Sequence, residues 1–341
     1  MDTAEYLVRE TKKVCASHSG YQFIISKRKP VWHMRNINQI NRISIHATSL
    51  CFIMFSVVLG QSDSELEKAV EYLDAGALFA REGEYKKAVD RYSKAIEINP
   101  EFANALSYRA YSYTHLNEWK KALADFNRLI ELNPEDAETF FRRGIALSEL
   151  KMLKKAISDY SRAIELDQTY TAAFGNRGIL FDKLGESKKA IDDFSKAIDL
   201  DPTSSGAYYN RGVTYRNLNQ FDKAIADYTK VIEIDPRAAK AYNNRAHAFI
   251  KKQMTQEAID DFSKVIEIHP DYKMAYHIRG TLYGQMKEFE KAIQNFSKCI
   301  EIDPKFAIAY QYRATTYKIL GEIEKAEADL EMARKFAPSG N

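Results

Sequence analysis

Residues 137–170 read AETFFRRGIALSELKMLKKAISDYSRAIELDQTY, and residues 171–204 read TAAFGNRGILFDKLGESKKAIDDFSKAIDLDPTS. Set one above the other, they agree at Phe140 and Phe174, Arg143 and Arg177, Gly144 and Gly178, Ala156 and Ala190, and Asp159 and Asp193. The same frame extends both ways without insertion or deletion. It gives eight rows of 34 residues: 69–102, 103–136, 137–170, 171–204, 205–238, 239–272, 273–306 and 307–340. Position 20 of a row is always Ala, from Ala88 to Ala326, and position 24 is a ring in seven rows and Leu330 in the eighth. Position 8 is always Gly or Ala, and position 32 is Pro in seven rows, with Gln168 in the third.

Each row reads as two antiparallel helices. Positions 4, 8 and 11 fall on one stripe of a first helix, and positions 20, 24 and 27 on one stripe of a second, at the spacing of helical neighbours. Small residues at 8 and 20 let the two backbones approach, and rings at 4, 11 and 24 fill the space beside them. Gly or Asn at position 15 in five rows (Gly83, Asn117, Gly185, Asn219, Gly321) marks a left-handed residue ending the first helix. Asn-Pro and Asp-Pro pairs near position 32 stop the second.

This pattern resembles the tetratricopeptide repeat family: 34 residues, small side chains at 8 and 20, rings at 4, 11 and 24, and Pro at 32. The resemblance implies an all-α fold, a right-handed α-solenoid of eight helix-turn-helix repeats stabilised mainly between neighbours. Positions 21 and 28, aliphatic in the inner rows, are then expected to face the next repeat. Glu327 and Arg334 stand there in row eight, which predicts that the array is complete at its C-terminus.

Position 7 is Arg in seven rows, and position 23 is Asp in six of these. The expected structural ion pairs are Arg109 with Asp125, Arg143 with Asp159, Arg177 with Asp193, Arg211 with Asp227, Arg245 with Asp261, and Arg313 with Asp329. Arg279 faces Asn295 instead, and row one lacks both partners, having Ala75 and Arg91. Losing both together favours pairing within a row. A planar guanidinium can hydrogen-bond a carboxylate twice, so a structural ladder is preferred to an anion-binding rail.

In the family the first helices line a concave groove, with positions 2, 5, 6, 9, 12 and 13 pointing into it. Here these positions offer an apolar stretch, Phe141, Ile145, Ile179, Tyr209 and Val213, followed by Lys240, Asn243, His247 and His277. Position 6 is Asn in three consecutive rows: Asn176, Asn210 and Asn244. This is similar to the asparagine ladder in the repeat domain of O-linked N-acetylglucosamine transferases, where such amides hold a peptide backbone; an amide donates and accepts together. The alternative is that these residues bond neighbouring helices. The basic clamp of chaperone-binding members, with Lys at 5 and Asn at 9, is absent.

Composition narrows the function classes. Residues 61–341 hold 42 basic and 44 acidic side chains, which gives no phosphate-tracking surface, so no nucleic acid is expected. Cys15, Cys51 and Cys299 show no metal-ligand spacing, and Cys299 reads as a buried small apolar residue. His247 and His277 lack a carboxylate or thiol partner, so no metal and no cofactor are expected. No phosphate loop, metalloprotease helix or nucleophile signature is present. The chain reads as a non-enzymatic scaffold binding a protein or peptide segment in its groove. The alternative is a membrane-tethered assembly or regulatory subunit using its convex face.

The first sixty residues differ sharply in composition. Leu50–Leu59 is a ten-residue apolar run broken by Ser56, preceded by Met34, Arg35 and Arg42. That is short for a membrane span and suits a secretory signal. The reading is a poorly ordered upstream extension at 1–33, a signal peptide at 34–60, a short linker at 61–68, and an exported array, periplasmic or secreted. An uncleaved membrane anchor through 43–60 is the first alternative and a cytosolic tail the second.

Overall fold

In the computed structural model, which describes residues 24–25, 30–31 and 63–337, every row becomes a pair of helices. These are α1 (Asp63–Arg81) and α2 (Tyr85–Ile98), α3 (Ala103–His115) and α4 (Trp119–Leu132), and α5 (Ala137–Glu149) and α6 (Leu153–Leu166). There follow α7 (Thr171–Lys183) and α8 (Ser187–Leu200), α9 (Ser205–Asn217) and α10 (Phe221–Ile234), and α11 (Ala239–Lys251) and α12 (Thr255–Ile268). The last two pairs are α13 (Lys273–Gln285) with α14 (Phe289–Ile302), and α15 (Ala307–Ile319) with α16 (Ile323–Phe336). A two-residue antiparallel pairing of Ile24–Ile25 with Pro30–Val31 is the one β element among the described residues. The expected signal at 34–60 lies outside them. No helix among the described residues is long and apolar enough to cross a membrane.

The turn inside each hairpin is built the same way eight times. Position 15 has positive φ in every row: 78° at Gly83, Gly185 and Gly321, and 57–62° at Asn117, Lys151, Asn219, Gln253 and Lys287. The next amide reaches back over it to the first helix, as in Glu186 N–H to Phe181 C=O at 2.8 Å and Met254 N–H to Phe249 C=O at 3.0 Å. This satisfies carbonyls that the helix end would leave open. Lys151, Gln253 and Lys287 take the left-handed conformation without the residue types that favour it, so the surrounding hairpin imposes it. Six second helices end at an Asn or Asp, rows six and eight having His269 and Ala337 there, and at Asn99, Asp201, Asp235 and Asp303 its side chain accepts the amide two residues on.

Inside a hairpin, all eight position-20 alanines are fully buried, and the seven position-24 rings are at most 2% exposed. The ring packs closely against position 8 of the first helix. A Cβ added to Gly178 would stand 2.8 Å from the Phe194 ring, and one added to Gly144 would stand 2.6 Å from Tyr160. Backbone approach at position 8 therefore fixes the hairpin, as the small-residue pattern implies.

The helices gather into two compact units, one ending at Asp167 and one beginning at Gln168, the residue that stands where the other rows have proline. In the first unit Ala69, Ala95, Phe102 and Ala105 form a core shared by rows one and two, and Leu106, Ala122, Phe126 and Ala146 one shared by rows two and three. In the second unit Tyr242, Ile259, Phe262, Val265, Ala275 and Leu282 join rows six and seven, and Tyr276, Cys299 and Ala309 join rows seven and eight. Position-28 residues Ile266 and Ile300 pack onto the core of the following row, whereas Glu327 and Arg334 are exposed. These cores are shared across row boundaries, which is the physical meaning of a repeat stack.

One boundary differs from the expectation. Residues 63–68, read as linker, are the first turns of α1, with Leu66 4% exposed and Ala69 fully buried. Burial of Leu66 on the same stripe as Ala69 extends the helix beyond the repeat frame. The sequence signal is Ser62-Asp63-Ser64-Glu65, the spacing of a capping box just before an apolar periodicity.

Candidate functional site

Six of the seven position-7 arginines meet a buried carboxylate of their own row through two parallel bonds. Arg109 donates from Nε to Asp125 at 2.9 Å and from Nη2 at 2.7 Å, Arg211 to Asp227 at 2.9 and 2.8 Å, and Arg245 to Asp261 at 2.8 and 2.7 Å. Arg143 with Asp159, Arg177 with Asp193, and Arg313 with Asp329 repeat this fork. The aspartates are 3–6% exposed. Hydrogen bonding to its aspartate raises the affinity of each of Arg211, Arg245 and Arg313 for its proton.

The third arm of the guanidinium reaches outside its own row, which the repeat pattern did not foretell. Nη1 of Arg109 donates to Ser93, that of Arg143 to Asn127, that of Arg211 to Ser195, and that of Arg245 to Thr229. Each acceptor sits at position 25 of the preceding row. The arginine therefore holds its own hairpin together and ties it to its neighbour. The signal was present as a polar residue recurring at position 25, but a serine on a helix surface reads as filler until adjacency is known.

Row seven breaks the ladder. Arg279 donates from Nε to Asn295 Oδ1 and from Nη1 to Ser263, both at 2.9 Å, while its Nη2 meets no acceptor among the described residues. Burial, uncompensated by a carboxylate, lowers the pKa of Arg279 from its ordinary value. Asn295→Asp is expected to stabilise the protein by about 1 kcal/mol, since the buried cation is already present and gains a charge-assisted bond. Urea unfolding checks it; a fall in midpoint contradicts it.

The first helices present positions 2, 5, 6, 9, 12 and 13 on one stripe. Phe141 and Ile145 lie on it in the first unit, half-buried, with the Phe141 ring 5.7 Å from that of Tyr160. Ile179, Tyr209 and Val213 lie on it in the second unit, also half-buried. The three asparagines separate. Asn244 is 9% exposed, donates to the Tyr209 hydroxyl at 3.0 Å and accepts from Arg216 Nη1 at 3.1 Å. Asn176 and Asn210, half-buried, make no side-chain hydrogen bond among the described residues, and Asn243 makes none either.

His247 packs edge-on against Phe262 with ring centres 5.6 Å apart, and His277 sits among Phe296, Phe306 and Tyr312 at 6.1, 5.8 and 4.9 Å. Nδ1 of His277 is buried with no hydrogen-bond partner among the described residues. Burial holds both imidazoles below the usual 6.5, and the charges of Arg216 and Lys251 lower His247 further. A histidine kept neutral in the fold but free to protonate when unfolded favours the unfolded chain in acid. Stability is therefore expected to be full above pH 6.5 and to fall as pH drops below it, more steeply than in a His247→Gln/His277→Phe variant. Equal slopes in urea titrations contradict this.

Row eight adds apolar surface at these same groove positions, 2, 6 and 13. Ile308, Tyr312 and Ile319, on one stripe of α15, are 45%, 42% and 60% exposed, so the C-terminal end of the first-helix face carries apolar surface as well as polar groups. Cys299 is fully buried, donates its Sγ hydrogen to the Lys273 carbonyl, and is pushed up to about 12 by burial, so it is an inert packing residue. Among the described residues no three His, Cys, Asp or Glu side chains converge as metal ligands.

Stacked hairpins with a fixed internal ladder and a variable outer stripe define a helical repeat protein built for interaction. Family profiles described as tetratricopeptide repeat match residues 137–170, 171–204, 205–237, 239–272 and 274–306, with others at 103–136 and 295–328 and a TPR repeat profile at 76–115. The chain belongs to the tetratricopeptide repeat family. The C-terminal part of a TPR repeat-containing protein from Cytophaga hutchinsonii is 22% identical, covering 70% of this chain and 98% of that one with a TM-score of 0.63. A tetratricopeptide repeat protein from Parabacteroides merdae is 18% identical over 73% of this chain and 99% of that one, TM-score 0.54. YrrB, described as a TPR protein with an unusual peptide-binding site, is 27% identical over 54% of this chain and 95% of that one, TM-score 0.49. No curated protein matches. The chain is thus a protein-interaction scaffold of a fold that is typically non-enzymatic.

Proposed function

We propose that the first-helix face holds an extended segment of a partner protein, with Asn176 and Asn210 gripping its backbone. The observation that carries this reading is the contrast among three asparagines at one repeat position. Asn244 spends its amide on Tyr209 and Arg216, while Asn176 and Asn210, one row apart, keep both donor and acceptor open among the described residues. An open amide beside half-buried apolar residues matches a peptide unit whatever its side chain. Ile179, Tyr209 and Val213 supply the adjoining apolar surface.

Peptides selected from an unbiased library on the full chain are the test. Asn176→Ala with Asn210→Ala is expected to weaken them by about 2 kcal/mol, roughly thirtyfold, at about 1 kcal/mol per bonded amide. Unchanged affinity, with loss on substituting the second-helix residue Lys196, moves the site to the convex face. Export through 34–60 belongs to the same proposal; N-terminal sequencing of the cell-derived protein finds Gln61 first if it holds and Met1 if it does not.

A further inference from the structure

Charge on the second unit is unevenly placed. At positions 2, 5, 6, 9, 12 and 13 of its five first helices stand Lys183, Arg216, Lys240, Lys251 and Lys318, against a single acid, Asp182. None of the five cations forms an ion pair among the described residues, and Arg216 donates only to the amide oxygens of Asn244 and Asn217. Asp182 already accepts from Thr214 Oγ1 at 2.9 Å. Most lysines of the second helices behave differently: Lys230, Lys264 and Lys298 each meet a glutamate three residues on, and Lys189, Lys291 and Lys325 one three residues back, while Lys188, Lys196, Lys223 and Lys335 form no ion pair among the described residues. The near-neutral total therefore conceals a first-helix face whose cations outnumber its acids and are all without an ion pair among the described residues, against second helices that pair most of their lysines.

We propose that the segment bound by the second unit is acidic, its carboxylates meeting Lys183, Arg216 and Lys251 beside the open Asn176 and Asn210 amides. This rests on the first-helix reading given above. Burial is the main cause of the lowered pKa of His247, but Arg216 and Lys251 add to it, which places their positive field at that face. The chain's own residues 1–60, with eight basic and three acidic side chains, are repelled from it. A nucleic acid is disfavoured because its affinity comes from neutralising many phosphates, and five scattered cations on a body of balanced charge supply little of that. Cations left unneutralised on a binding face steer and select an acidic partner.

Fluorescence anisotropy on the full chain tests this with three probes: a labelled peptide of about twelve residues alternating Glu and Val, its Gln-for-Glu counterpart, and oligothymidylate. The Glu probe is expected to bind at least tenfold tighter than the Gln probe at low salt, the ratio shrinking as ionic strength rises. Arg216→Glu with Lys251→Glu brings the ratio to about one. Lys183→Glu with Lys251→Glu, both at exposed positions, is expected to do the same without risk to the fold. Equal affinity for the two peptides, no binding of the Glu probe, a ratio unmoved by either variant, or equal competition by oligothymidylate overturns the proposal. If the two peptides bind equally and both weaken with Asn176→Ala and Asn210→Ala, the first-helix reading stands and the acidic assignment falls; if neither weakens, both fall.

Discussion

Asp227→Lys is expected to destabilise the protein by about 3–5 kcal/mol, the cost of leaving Arg211 half-buried against a like charge. Asp227 is 4% exposed and accepts both Nε and Nη2 of Arg211, whose Nη1 also reaches Ser195 in the preceding row. The loss therefore opens the hairpin and its junction together. Arg211→Met combined with Asp227→Leu is expected to recover most of it, because a buried pair gains little over well-packed apolar side chains while half a pair costs a great deal. Urea denaturation of the single and double variants reads this directly. A single variant as stable as the parent, or a double variant as unstable as the single, contradicts the pairing.

Gly178→Leu carries the second large effect, a loss of about 3 kcal/mol from overpacking. The Phe194 ring stands 2.8 Å from where even a Cβ would be, and it is itself 1% exposed. Gly178→Ala is expected to cost less than about 1 kcal/mol. The protein itself supplies the control, since Ala110 and Ala246 occupy position 8 in rows two and six, where the rings of Phe126 and Phe262 are still buried. Thermal and urea unfolding of the two variants should separate them clearly; equal effects contradict the close approach at position 8.

The frame of the fold was legible because the period is uninterrupted, so Ala88 and Ala326 sit at one position across eight rows and share one burial. Arg–Asp pairing was legible because row one lacks both members. Other features depend on neighbours that a row does not contain. Lys151, Gln253 and Lys287 take positive φ since the hairpin closes over them whatever residue is there. Asn210 and Asn244 are identical in the repeat, yet only Asn244 has a tyrosine at position 5 of the preceding row; Asn210 has Gly175 there, with no side chain to bond. The start of α1 was missed because the 34-residue frame begins inside that helix and its capping signal lies upstream.

The claim that the first-helix face receives the partner is tested most directly by photo-crosslinking. A benzophenone side chain at Val213, on the α9 stripe, and one at Lys196, on α8, are compared on the same selected peptide. Crosslinking at Val213 and none at Lys196 is predicted. Crosslinking at Lys196 with none at Val213 contradicts the account.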